Sequence, residues 1–204
     1  MGAGWYLLLP FYLLVGGVCV VLSVPDFINR DATDSICNIP GCNCTYYLTW
    51  QKINCTFNDT QKVQFTEGSI PNVTMEISIT GGKEILIKPM VFKSLPAFRR
   101  FKVENTMSLT TSKGAFVNVT SPKVIIQIQG CDELKVEDNA FEGFPPKTPL
   151  DFEATNCSRV SIGKSAFTTL QYGRFQFIRE LILAKEAFSN EARRHGLLAD
   201  VCIT

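Results

Sequence analysis

Five stretches of the chain share one pattern: apolar, any, apolar, three of any kind, Ala, Phe. They are Ile85-Leu-Ile87-Lys-Pro-Met-Val91-Phe92, Leu109-Thr-Thr111-Ser-Lys-Gly-Ala115-Phe116, Leu134-Lys-Val136-Glu-Asp-Asn-Ala140-Phe141, Val160-Ser-Ile162-Gly-Lys-Ser-Ala166-Phe167 and Leu181-Ile-Leu183-Ala-Lys-Glu-Ala187-Phe188, with Val91 and Thr111 as mild exceptions. The phenylalanines stand at 92, 116, 141, 167 and 188, at intervals of 24, 25, 26 and 21. A recurring period near 24 is the mark of a solenoid built from short repeats.

A second alternation lies eight residues ahead of each of the first four stretches: Ile77-x-Ile79, Phe101-x-Val103, Ile126-x-Ile128 and Phe152-x-Ala154. Apolar residues at every other position predict strands. The fifth repeat offers Phe175-x-Phe177, only six residues ahead, so its register slips. Three residues after the second apolar position come Gly82, Thr106, Cys131 and Cys157, a turn position. One such unit cannot bury its own apolar edge. Stacking pairs the strands in parallel about 4.8 Å apart and sets each Phe on the next. Each buried Phe then contributes about 1.5–3 kcal/mol, so the phenylalanines are expected to be core. Cys131 and Cys157 read as small buried residues of the turn, close enough in adjacent repeats to cross-link and expected to stay free.

The 204 residues suit one domain with a small appendage. With 46% hydrophobic and 19% charged residues the chain is no disordered polymer, and a net charge of +1 offers no electrostatic case for nucleic acid. The single histidine, His195, sits between Arg194 and Gly196 and is expected to be exposed. No phosphate loop, metal cluster or nucleophile–base set is evident, so neither an enzyme nor a cofactor or metal is expected.

Trp5 to Leu22 carry no charge, and none occurs before Asp26. Val21 and Ser23 occupy the −3 and −1 positions of a cleavage site after Ser23, which reads as a secretory signal peptide. An uncleaved anchor is the competing reading, because 18 residues just span a bilayer. Six N-x-S/T sequons, at Asn43, Asn54, Asn58, Asn72, Asn118 and Asn156, agree with export. Asn58, Asn72 and Asn118 are the better acceptors, since Asn43, Asn54 and Asn156 have Cys as the middle residue. The expected organisation is a signal peptide over 1–23, a linker over 24–36, a cysteine cap over 37–66, repeats over 67–190 and a tail over 191–204. The mature chain is read as secreted, without a membrane span once the signal is removed.

Cys19 leaves with the signal, so seven of the eight cysteines remain. Cys37, Cys42, Cys44 and Cys55 cluster tightly. In an oxidising compartment they read as two bridges, for which three pairings exist. Zinc is disfavoured, because the C-x-C spacing makes a poor knuckle and no histidine is near. Cys202 has no evident partner.

The cysteine cluster runs through Ile53-Asn54-Cys55 and Val63-Gln64-Phe65 to Ile70-Pro71-Asn72-Val73-Thr74 and the first repeat strand. This resembles the N-terminal cap of extracellular leucine-rich-repeat proteins. The repeats resemble that family's 24-residue type, with its return segment in Ser165-Ala166-Phe167-Thr168-Thr169-Leu170. The resemblance covers about residues 37 to 190. It implies an α/β-type, mostly β repeat solenoid: a curved parallel sheet with an N-terminal disulfide cap, bridged Cys37–Cys44 and Cys42–Cys55. It also implies binding of an extracellular protein or glycan, and some members resemble secreted non-catalytic partners of enzymes. The chain departs from the family in using Ile, Val and Phe for Leu, in its prolines at 145, 146 and 149, and in having no C-terminal cysteine cap. The last coil is expected to be covered by the tail or a partner, unless the sequence is a fragment.

In such a solenoid the residues flanking the first strand's apolar pair form the inner face. The candidate binding face is Arg100, Lys102, Glu104, Gln127, Asp151, Glu153 and Gln176, basic at one end and acidic two repeats later. Asn156 lies at its edge, where a glycan would obstruct it. Three functions follow: a secreted binding module, an accessory subunit of a secreted enzyme, or the ectodomain of a receptor whose span lies beyond residue 204. No oligomeric state is implied.

Overall fold

The computed structural model describes residues 35–145, 148–188 and 200–203. The expected signal peptide, the linker up to Asp34 and most of the tail, His195 included, lie outside these residues, as does the side chain of Cys202.

A short 3-10 turn, Ile36–Asn38, leads into the antiparallel hairpin of β1 (Cys42–Tyr47) and β2 (Trp50–Phe57). From there every pairing is parallel, as one-strand-per-coil stacking requires. The first ladder runs β2, β4 (Thr74–Gly81), β7 (Arg100–Thr111), β9 (Val124–Val136), β10 (Leu150–Thr155), β12 (Leu170–Gln176) and β14 (Asp200–Ile203). A second ladder runs β3 (Lys62–Phe65), β5 (Glu84–Ile87), the later halves of β7 and β9, then β11 (Arg159–Ile162) and β13 (Glu180–Leu183). The third side of the coil has only β6 (Phe92–Lys93) with β8 (Phe116–Val117), followed by single bridges Val117–Gly143 and Phe167–Phe188. The chain is thus a mostly β, parallel-sheet solenoid of about five turns. Among the described residues the only helix is the 3-10 turn, so the helical part of the α/β expectation has no counterpart there.

The core is set by the two alternations and the Phe repeat. The first ladder buries Ile53, Ile77, Phe101, Ile126 and Phe152 in one column and Cys55, Ile79, Val103, Ile128, Ala154 and Phe175 in the next. The second ladder buries Val63, Ile85, Leu109, Leu134 and Val160. From the third side the repeat phenylalanines point into the core in a single stack. Centroid separations are 4.2 Å for Phe92–Phe116, 4.8 Å for Phe116–Phe141, 4.9 Å for Phe141–Phe167 and 5.6 Å for Phe167–Phe188. Phe101 and Phe152 meet this stack edge-on, the arrangement the ring quadrupole favours. The residue before each Phe, Val91 in the first coil and Ala in the others, is buried, and the residue before it has a left-handed backbone in every coil: Met90, Gly114, Asn139, Ser165 and Glu186.

A second column of left-handed corners, Gly81, Asn105, Gly130, Asn156 and Phe177, marks where each coil leaves the first ladder, inside β7 and β9 for Asn105 and Gly130. Glycine and asparagine enter this conformation easily, whereas a bulky side chain does not. Phe177, at φ 56° and 67% exposed, corrects the sequence expectation for the fifth coil. Gln171 is an extra residue in β12, so Gly173 and Phe175 pair with Phe152 and Ala154, and Phe177 becomes the corner. Replacing Phe177 with Asn is expected to stabilise the protein by about 1 kcal/mol, read as a higher midpoint in urea. An unchanged or lower midpoint would mean that the ring has contacts offsetting its backbone strain.

Candidate functional site

The parallel register brings the outward residues of the first ladder into three rows. One row is Lys52, Glu76, Arg100, Ile125, Asp151 and Tyr172. The next is Asn54, Ser78, Lys102, Gln127, Glu153 and Arg174. The third is Thr56, Thr80, Glu104, Gln129, Thr155 and Gln176. The seven residues expected from sequence therefore share one face. Tyr172 joins them, because of the same extra residue at Gln171.

The charges on this face are largely engaged with one another. Lys52 reaches Glu76 at 3.4 Å and Lys102 reaches Glu104 at 2.8 Å. Lys123, which the pattern did not single out, contacts Asp151 at 2.6 Å, and Gln127 donates to Glu153 at 3.0 Å. The Arg174 guanidinium lies 5.6 Å from the Tyr172 ring centroid, a cation–π contact. Partly exposed pairs of this kind contribute little to stability but present polar groups in fixed positions. Arg100 is exposed and has no ion-pair partner among the described residues.

The disulfides join Cys37 to Cys44 and Cys42 to Cys55, the pairing that the resemblance implies. They tie the 3-10 turn to β1 and β1 to β2 at the open end of the first coil. Cys131 and Cys157 are free and buried in the turn between the ladders. The backbone there is bonded from coil to coil: Met107 N–H donates to Gly82 O at 3.1 Å, Ser158 N–H to Cys131 O at 3.0 Å, and Arg179 N–H to Cys157 O at 3.3 Å. The hydrogen bond with Cys157, together with burial, holds the Cys131 thiol protonated far above its ordinary range.

All six sequon asparagines are exposed. Asn43 and Asn54 face each other across the β1–β2 hairpin. Asn58 accepts from the Thr60 N–H at 3.1 Å and from the Thr60 hydroxyl at 2.7 Å, a compact turn within its own sequon. Asn118 and Asn156 stand at left-handed corners.

A groove of about 670 Å³ runs along the corner between the two ladders. Lys83, Met107, Asp132, Glu133, Ser158 and Arg179 line it, and none of them belongs to the face expected from sequence. They sit one or two residues beyond the turn position, where neither alternation reaches. The signal available in the sequence was the recurrence of charge there, in Lys83-Glu84, Asp132-Glu133, Arg159 and Arg179-Glu180.

Among the described residues no group of three or more His, Cys, Asp or Glu stands ready for a metal, and no helix is long and apolar enough to cross a membrane. No protein-family model matches the chain. Neither a curated protein nor a solved structure matches it.

Proposed function

We propose that this chain is a secreted leucine-rich-repeat binding protein that recognises an extracellular protein or glycan through the outward face of its first ladder. The observation that carries the reading is the in-register row from Lys52 to Tyr172 with its two neighbours: mostly polar and charged side chains from six successive strands, over a filled core. Such a surface discriminates partners by charge and shape. Two disulfides support an oxidising compartment, and the exposure of six sequons supports passage through the secretory route. Binding is preferred over catalysis because the two carboxylates Asp151 and Glu153, on one strand of the face, are already held by Lys123 and Gln127. Where Asn156 is glycosylated, the sugar would border the face.

The test is capture of partners from the secreted fraction with tagged wild-type protein, repeated with Arg100→Glu/Lys102→Glu. The double variant is expected to keep the wild-type thermal midpoint and to weaken binding of the identified partner by tenfold or more. Undiminished binding by the folded variant would remove this face from the reading.

A further inference from the structure

We propose that the groove between the two ladders is a second recognition surface, shaped for a polyproline-II segment of a partner polypeptide with the pattern acid-x-x-base-x-x-acid. This does not rest on the first-ladder face, whose residues it does not use.

Of the charges along the groove, three are engaged: Glu84 with Lys62 at 2.8 Å, and Arg159 and Glu180 with each other at 2.8 Å. Lys83, Asp132, Glu133 and Arg179 have no ion-pair partner among the described residues. Read along the solenoid axis they run positive, negative, positive, with two coil steps between neighbours. Parallel strands about 4.8 Å apart make each interval about 10 Å. A polyproline-II helix rises about 3.1 Å per residue with three residues per turn. Its residues i, i+3 and i+6 therefore share one side at intervals of about 9 Å, nearly the spacing of the groove charges. A β-strand does not fit, because i and i+3 point to opposite faces. An α-helix does not fit either, because three residues advance only about 4.5 Å.

The groove also offers what such segments dock on. Met107, 42% exposed, contributes an apolar surface. Phe177, two residues before Arg179 in the chain and not itself a lining residue, exposes an aromatic ring at its left-handed corner. Proline-rich ligands are bound on exposed aromatic and apolar surfaces, and their preformed helix loses little entropy on binding.

The experiment is selection of phage-displayed random dodecamers on wild-type protein and on Asn156→Gln, which removes any glycan at the corner bordering the groove. Enriched peptides are then measured against Asp132→Lys/Glu133→Lys and against Arg100→Glu/Lys102→Glu. The expected result is a consensus with Lys or Arg flanked at three residues on each side by Asp or Glu, with proline favoured between. Affinity should fall at least tenfold on the Asp132/Glu133 variant and change less than twofold on the Arg100/Lys102 variant, both variants keeping the wild-type thermal midpoint. Failure to enrich any family on either protein would overturn the proposal. So would a consensus lacking the three-residue spacing, or peptides that bind the Asp132/Glu133 variant as well as wild type. Because the first-ladder face is tested by other substitutions, either reading can fail alone.

Discussion

Replacing Phe116 with Ala is expected to lower the unfolding free energy by about 3–5 kcal/mol, the usual cost of emptying a fully buried aromatic site. Phe116 lies in the middle of the ring stack. It packs flat on Phe92 at 4.2 Å, meets Phe141 at 4.8 Å, and touches Phe98 and Phe144 at 6.5 and 5.6 Å. Removing it leaves a cavity bordered on two sides by rings that belong to other coils. In a solenoid, stability is approximately a sum of coil terms and nearest-neighbour interfaces, so one deletion weakens two interfaces at once. Phe188 is the control. It is half-buried, and Phe167 at 5.6 Å is its one ring neighbour among the described residues. Phe188→Ala should therefore cost markedly less. Urea unfolding followed by circular dichroism gives both values. Equal costs at the two sites would mean that the rings stabilise their own coils and not the stack. Since domains of this kind have about 5–15 kcal/mol in all, the Phe116 variant should also unfold close to physiological temperature.

Removing the Cys42–Cys55 bridge as Cys42→Ala/Cys55→Ala is expected to cost about 3 kcal/mol, from the entropy of closing its 13-residue separation in the unfolded chain. The Cys37–Cys44 bridge closes only 7 residues, and its removal should cost about 2.4 kcal/mol on the same basis. Packing widens the gap. Cys55 is buried and pairs with Ile79, so the first bridge is part of the inner column of the first ladder, while Cys37 and Cys44 are half-buried. The β1–β2 hairpin also closes the open end of the first coil, and terminal caps are what keep a solenoid's apolar edge from water. Denaturation of the two double variants and wild type measures the difference. A larger loss from the Cys37/Cys44 variant would show that the 3-10 turn, and not the hairpin, is the effective cap.

How much of this was legible in the residues varies from element to element. The phenylalanine stack was legible because burial along a strand or return segment is a local property repeated every coil, and a repeated local property appears as a period. The first-ladder face was legible for the same reason: Lys102 and Gln127 point outward because Phe101, Val103, Ile126 and Ile128 point inward. The fifth coil was misread at Phe177. One extra residue, Gln171, moves the register, and the bulge leaves no mark in an alternation where Gly173 stands in an apolar column. The pairing partners of charges such as Lys123–Asp151 were likewise hidden, because a long flexible side chain reaches beyond its own strand position.

The sequence by itself determined that this chain stacks coil on coil with a ring of Phe from each. The hydrophobic cost of an unstacked edge admits no other arrangement for that period. Tertiary structure alone decided where the solenoid bends, and so where it has a groove. Two ladders meeting at left-handed corners leave Lys83, Asp132, Glu133 and Arg179 in line along a depression, although they come from coils far apart in the chain. That alignment depends on the register of every coil between them, and register is fixed by backbone hydrogen bonds and bulges rather than by side-chain pattern.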